Sequence, residues 1–76
     1  MTGFDFDKRY REIIAGLAMM HKTYTDLEAL AEETGDYDHE MMAKRAYESY
    51  EERSKTVADV LGVHKGFIHE DVLKAV

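Results

Sequence analysis

An all-α fold, a small helical bundle, is what this chain predicts, and three observations predict it. Proline is absent, glycine occurs only at positions 3, 16, 35, 62 and 66, and two long runs place apolar residues at alternating spacings of four and three. The expected bundle has a long N-terminal amphipathic helix, a second helix from about residue 38 and a short C-terminal helix from about residue 64. The whole chain, 1–76, reads as a single helical domain.

The first run is Phe6, Tyr10, Ile13, Leu17, Met20, Tyr24, Leu27 and Ala31, which lines up one face of a helix over about four heptads. Asp5 is placed to cap it, and Gly35 is its natural stop. Gly16 weakens a helix interior by up to about 1 kcal/mol relative to Ala, and Thr25 with Glu28 forms a capping box that could start a second helix. The unbroken stripe favours one continuous helix. Ala15, Gly16 and Ala18 are small enough for a close helix approach, although the plainer reading leaves two of them facing solvent.

Residues 34 to 38 (TGDYD) make a turn by composition, with Asp36 or Asp38 as cap of the next helix. Its inner positions are Ala43, Tyr47, Tyr50, Ser54, Val57 and Leu61, and here two arrangements stay open. An unbroken helix to Leu61 gives a two-helix hairpin with a short helix laid over its end. A break near Ser54, which Ser54 or Thr56 could cap, gives instead a three-helix unit over residues 38–74.

Residues 56 to 73 (TVADVLGVHKGFIHEDVL) allow a helix, a tight turn and a second helix. Ala58 is small where the second helix would cross, Gly62 can adopt the left-handed turn, and Val63 and Ile68 can bury the second helix against the first. With Ala58, Gly62 and Ile68 at the pattern's small, turn and aliphatic places, and Val57, Leu61 and Val63 supporting them, the segment resembles the helix-turn-helix family of DNA-binding domains. Where that family often carries a capping Ser or Thr, this chain has His64. The resemblance covers about a quarter of the chain and implies a unit at residues 54–74. It implies that the second helix exposes His64, Lys65, Phe67, His69 and Glu70, that its N-terminal residues meet base edges and that Arg53, Lys55 and Lys65 meet phosphates.

Composition narrows the function classes. At 76 residues and 8.8 kDa, folding buries only roughly 60% of the unfolded chain's surface, which leaves room for a protein partner or a homo-oligomer. Ten Lys and Arg against sixteen Asp and Glu give a net charge of −6, against wrapping of nucleic acid by bulk charge. The excess acid lies N-terminal: residues 1–52 hold six basic and thirteen acidic side chains, residues 53–76 four and three. Without Cys there is no disulfide framework and no thiolate chemistry, and no apolar run long enough for a membrane span or export signal occurs, so a cytoplasmic location is expected.

No Ser-His-Asp spacing, Gly-rich phosphate loop or paired Glu-x-x-His motif occurs, so neither an enzyme, a metal site, a cofactor nor a small-molecule substrate is expected. His21 reads as a solvent-facing neighbour of Met20, and His39 as part of a solvated helix start. The tyrosines at 10, 24, 47 and 50 fill a thin core, while Met19, Met20, Met41 and Met42 bring more apolar surface than one internal seam uses.

Two functions follow. One is a small transcriptional regulator, dimeric through residues 6–31, that touches DNA with its C-terminal helix; it requires the break near Ser54 and a basic patch of Arg53, Lys55 and Lys65. The other is a non-enzymatic acidic interaction module, an adaptor, an antitoxin-like protein or a phage-encoded inhibitor, that binds a basic protein. Partner contacts are expected from Tyr10, Leu17, Met20, Tyr24, Met41 and Met42. The second function's mark would be an apolar strip between Met41 and Tyr50, or around Met19, ringed by acid.

Overall fold

The computed structural model describes residues 6–76. Helix α1 spans Phe6–Thr34, α2 spans Tyr37–Leu61 and α3 spans Lys65–Ala75, so the chain is an all-α bundle in the expected order. The expected cap at Asp5 lies outside the described residues. None of these helices is long and apolar enough to cross a membrane.

Both connections are tight because each helix end is closed by local hydrogen bonds. Gly35, at φ 66°, ends α1 and donates its N–H to the Ala31 carbonyl at 2.8 Å. Asp36 caps α2, its carboxylate accepting the Asp38 N–H at 2.8 Å. Thr34 Oγ1 lies 2.9 Å from His39 Nδ1, which ties the end of α1 to the first turn of α2. His39 is therefore a half-buried joint of the hairpin and not simply a solvated start. A connection this short sends α2 back antiparallel along α1.

Helix α2 runs through Ser54 without a break, so the hairpin with a short helix over its end is the arrangement found. The candidate caps have other uses. Ser54 is 1% exposed and faces the core, and Thr56 donates its hydroxyl back to the Glu52 carbonyl at 3.0 Å, a bond made within a continuing helix. The helix stops instead at Gly62, at φ 70°, where the Val63 N–H reaches the Ala58 carbonyl at 3.0 Å. His64 then caps α3, its Nδ1 accepting the Gly66 N–H at 3.0 Å.

The core gathers Ile14, Leu17 and Ala18 of α1, Tyr50 and Ala58 of α2, and Ile68 and Val72 of α3, with Tyr10, Met20, Val57 and Leu61 packed around it. Ile68 and Val72 are completely buried. The expected stripe holds at Leu17 and Ala31, which are buried, and at Tyr10 and Met20, which pack against the core, but Ile14 is buried where Ile13 was expected, and Phe6 and Ile13 are exposed. The reason is that α1 packs against two neighbours, and α3 draws the buried arc toward Ile14 and Ala18.

The molecule measures 55 × 19 × 17 Å, and its radius of gyration of 14.6 Å exceeds the roughly 11 Å of a compact chain this long. The 29 residues of α1 run about 43 Å and the 11 of α3 only about 16 Å, so α3 roofs less than half of the hairpin. It starts near mid-hairpin, where Lys65 meets Glu51, and runs toward the start of α1, where Asp71 accepts the Tyr10 hydroxyl.

Because Ile68 seals the three-helix end, Ile68→Ala is expected to destabilise the fold by about 2–5 kcal/mol, a large part of a small domain's total stability. Val60→Ala, at a side chain 79% exposed, is expected to change it by no more than about 0.5 kcal/mol. Urea unfolding followed by helical circular dichroism measures both.

Candidate functional site

The face of the hairpin that seats α3 continues past its end. On α1 the seat steps from Ile14 through Leu17 and His21 to Tyr24, Glu28 and Ala31, and on α2 from Ala58 through Ser54 and Glu51 to Tyr47, Lys44 and Glu40, each at helical spacing. The unroofed part is a groove of about 750 Å³. Its floor holds the buried alanines Ala31 and Ala43, small enough for another backbone to come close. Tyr24, Tyr37, Met41 and Tyr47 give it apolar walls, and three carboxylates, Glu28, Glu32 and Glu40, stand around it against one ammonium, Lys44. Tyr24 and Tyr47 touch across it, with ring centroids 5.0 Å apart.

Between this groove and α3 lies a cluster of rings. The Tyr50 hydroxyl is 2.7 Å from His69 Nδ1, and the His21 ring sits 5.6 Å from Tyr24, 5.3 Å from Tyr50 and 5.9 Å from His69. His21 is thus half-buried and inward-facing, contrary to the solvent-facing position expected for it, because α3, which draws the buried arc toward Ile14, draws it toward His21 as well. Its Nδ1 is buried without a hydrogen-bond partner, and the nearby Ser54 Oγ makes no well-formed hydrogen bond either. Burial pushes the Tyr50 phenol above its ordinary value.

Glu51 connects cluster and groove. It accepts Lys65 Nζ at 2.6 Å and the Tyr47 hydroxyl at 2.6 Å, and these bonds, that of Lys65 foremost, hold its carboxyl below the usual value. The Tyr47 phenol is raised by the bond to Glu51 and by that charge. Tyr24 is raised by desolvation and then by Glu28. At the far end of α3, burial and the Asp71 carboxylate push Tyr10 up to about 12.

Of the residues singled out for DNA, His64, Lys65 and His69 line one groove beside Tyr50 and Glu51, and Arg53 lies elsewhere. Arg53 lines the back of the hairpin with Met20 and Thr56, away from the α3 seat. Lys65 is paired with Glu51, His64 caps α3, and His69 meets Tyr50. Lys55 and Phe67 are exposed. Of the partner residues, Tyr24 and Met41 line the acid-rimmed groove, Met42 is exposed outside it, and Met20 packs against the core from the back. Leu17 is 2% exposed and Tyr10 is engaged by Asp71, so both serve the internal α1–α3 contact.

Sequence reasoning missed Glu28, Glu32, Glu40 and Tyr47 as members of one site. Their helical spacing was readable, but the site depends on α3 stopping short, which no local pattern states.

The phenol of Tyr10 gives the fold a pH signature. Its folded pKa, about 12, lies above the ordinary tyrosine value of 10.0, so the unfolded chain loses this proton first and stability falls as pH rises from 10.0 to about 12. Below 10.0 the contribution is fully present. Tyr10→Phe is expected to flatten the alkaline fall in urea midpoint, and to remove the phenol that ionises last in a tyrosinate absorbance titration.

Comparison of the chain with protein-family models, curated proteins and solved structures finds no match in any of the three.

Proposed function

We propose that this chain is a non-enzymatic helical interaction module that docks a basic, amphipathic helix of a protein partner in the unroofed half of the α1–α2 groove. The observation that carries the reading is that the seat of α3 continues beyond α3 with an apolar floor and an acidic rim. It is the acid-ringed strip between Met41 and Tyr50 that an adaptor, an antitoxin-like protein or an inhibitor would use.

The chemistry of the groove selects its guest. A helix laid there presents apolar side chains at i, i+3, i+4 and i+7 to Ala31, Ala43 and Met41, as helix-in-groove recognition requires. The groove runs from about Tyr24 to Thr34 along α1, about 15 Å, which accommodates roughly three turns. Lys or Arg on the guest's flanks would meet Glu28, Glu32 and Glu40, and an Arg or Lys stem can lie on the faces of Tyr24 and Tyr47. A second copy of this acidic chain would bring carboxylates against carboxylates.

DNA binding through α3 is the competing reading, and its supporting feature is the tight α2–α3 turn at Gly62. It asks for a break near Ser54 and a joint patch of Arg53, Lys55 and Lys65. The continuous α2, the position of Arg53 on the back and the Lys65–Glu51 pair favour the protein partner.

The test is a titration of the isotope-labelled chain with a synthetic helical peptide carrying Leu at helical spacing and Lys elsewhere, followed by amide shifts. Shifts are expected at Tyr24, Ala31, Ala43 and Tyr47. Reversing the rim with Glu28→Lys and Glu32→Lys is expected to weaken binding on the order of tenfold at low salt. Random duplex DNA is titrated in parallel; binding of DNA with shifts centred on Lys55, Lys65 and Phe67, and none from the peptide, overturns the reading.

A further inference from the structure

We propose that the opposite face of the hairpin is the docking surface for a second copy of this chain, with Gly16 as the point of close approach. Gly16 lies in the middle of α1, where glycine is less favourable than alanine by roughly 0.5–1 kcal/mol. Nothing inside the chain accounts for it. Its φ is not positive, and a Cβ built on it meets no atom within 4 Å, so no neighbour in the same molecule needs the missing side chain. A glycine unexplained from within is explained by a body approaching from without.

The surroundings fit such a body. Gly16 opens onto a groove of about 490 Å³ between α1 and α2, on the side away from α3. Ile13 and Val60 border it, 42% and 79% exposed, and Met20 and Val57 continue the apolar surface inward. In water these side chains are an uncompensated apolar patch.

Charge decides the occupant. The groove that holds Tyr24 and Tyr47 has a rim dominated by acid, which repels a copy of itself and suits a cationic guest. The rim at Gly16 carries one carboxylate and one guanidinium, Glu12 and Arg53, with Glu12 also held 3.5 Å from Arg9 in an exposed pair on its own helix. A two-fold contact uses the same patch on both molecules, and a rim of mixed sign lets each acid lie toward the other copy's base. The two faces of the hairpin thereby take different partners, one a basic helix and one the chain itself.

Sedimentation velocity of the full chain over a dilution series tests this. The wild type is expected to pass from monomer to dimer as concentration rises. Gly16→Arg places a long, charged side chain at the crossing point. It is expected to abolish the dimer, and, at a dilution where the wild type is monomeric, to leave the thermal midpoint unchanged, since the side chain meets nothing in its own molecule. Val60→Arg, on the other wall, is expected to abolish it as well. The rim reversal Glu28→Lys with Glu32→Lys is expected to leave the dimer intact, which separates this contact from the peptide groove. A wild type that stays monomeric at the highest concentration overturns the proposal, as do Gly16→Arg and Val60→Arg proteins that associate as the wild type does.

Discussion

The seating of Ile68 and Val72 between α1 and α2 is the contact on which the molecule depends. Two antiparallel helices bury only a narrow seam, and in this chain the seam is thin, with Ala18, Ala31, Ala43 and Ala58 among its buried residues. The third helix inserts two fully buried β-branched side chains against Ile14, Leu17 and Ala18 on one side and Tyr50 and Ala58 on the other. That converts a seam into a core. The polar ties around it, Tyr10 to Asp71, Tyr50 to His69 and Lys65 to Glu51, fix where α3 lies along the hairpin. The Lys65–Glu51 pair is substantially exposed and contributes little stability of its own.

Coverage by α3 divides the hairpin into unlike halves. Near the α1 N-terminus and the α2 C-terminus the helices have a third layer; near the Thr34–Tyr37 connection they have none. The acidic excess falls in the half without a roof, where Glu28, Glu32 and Glu40 surround alanines and tyrosines. Fold and proposed function therefore have one origin. A longer α3 would complete the core and remove the site.

Much of this was legible in the sequence. The absence of proline, the two spaced stripes, the stops at Gly35 and Gly62 and the cap at Asp36 act within a few residues of themselves, and each element follows from them. The turn at Gly62 was readable in the same way, as a left-handed helix stop. What was not legible depends on the third partner. Ser54 has the chemistry of a cap, and only the proximity of α3 makes it a core position. His21 has the chemistry of a surface residue, yet Tyr24, Tyr50 and His69 close around it. Ile13 and Ile14 are neighbours of equal hydrophobicity, and which one is buried is decided by the side from which α3 arrives. An apolar strip ringed by acid was expected between Met41 and Tyr50 or around Met19; the groove shares Met41 and Tyr47 with the first of these, and its α1 wall was not legible.

Native-state hydrogen exchange, residue by residue, with and without the basic helical peptide, tests the division of the hairpin most directly. In the free chain the slowest amides should lie around Leu17, Tyr50 and Ala58, where α3 covers the hairpin, and those from Tyr24 to Thr34 and from Tyr37 to Tyr47 should exchange faster. Addition of the peptide should slow this second set and leave the first unchanged. Equal protection along the whole hairpin in the free chain, or slowing confined to the α3 end on addition of peptide, would contradict the account.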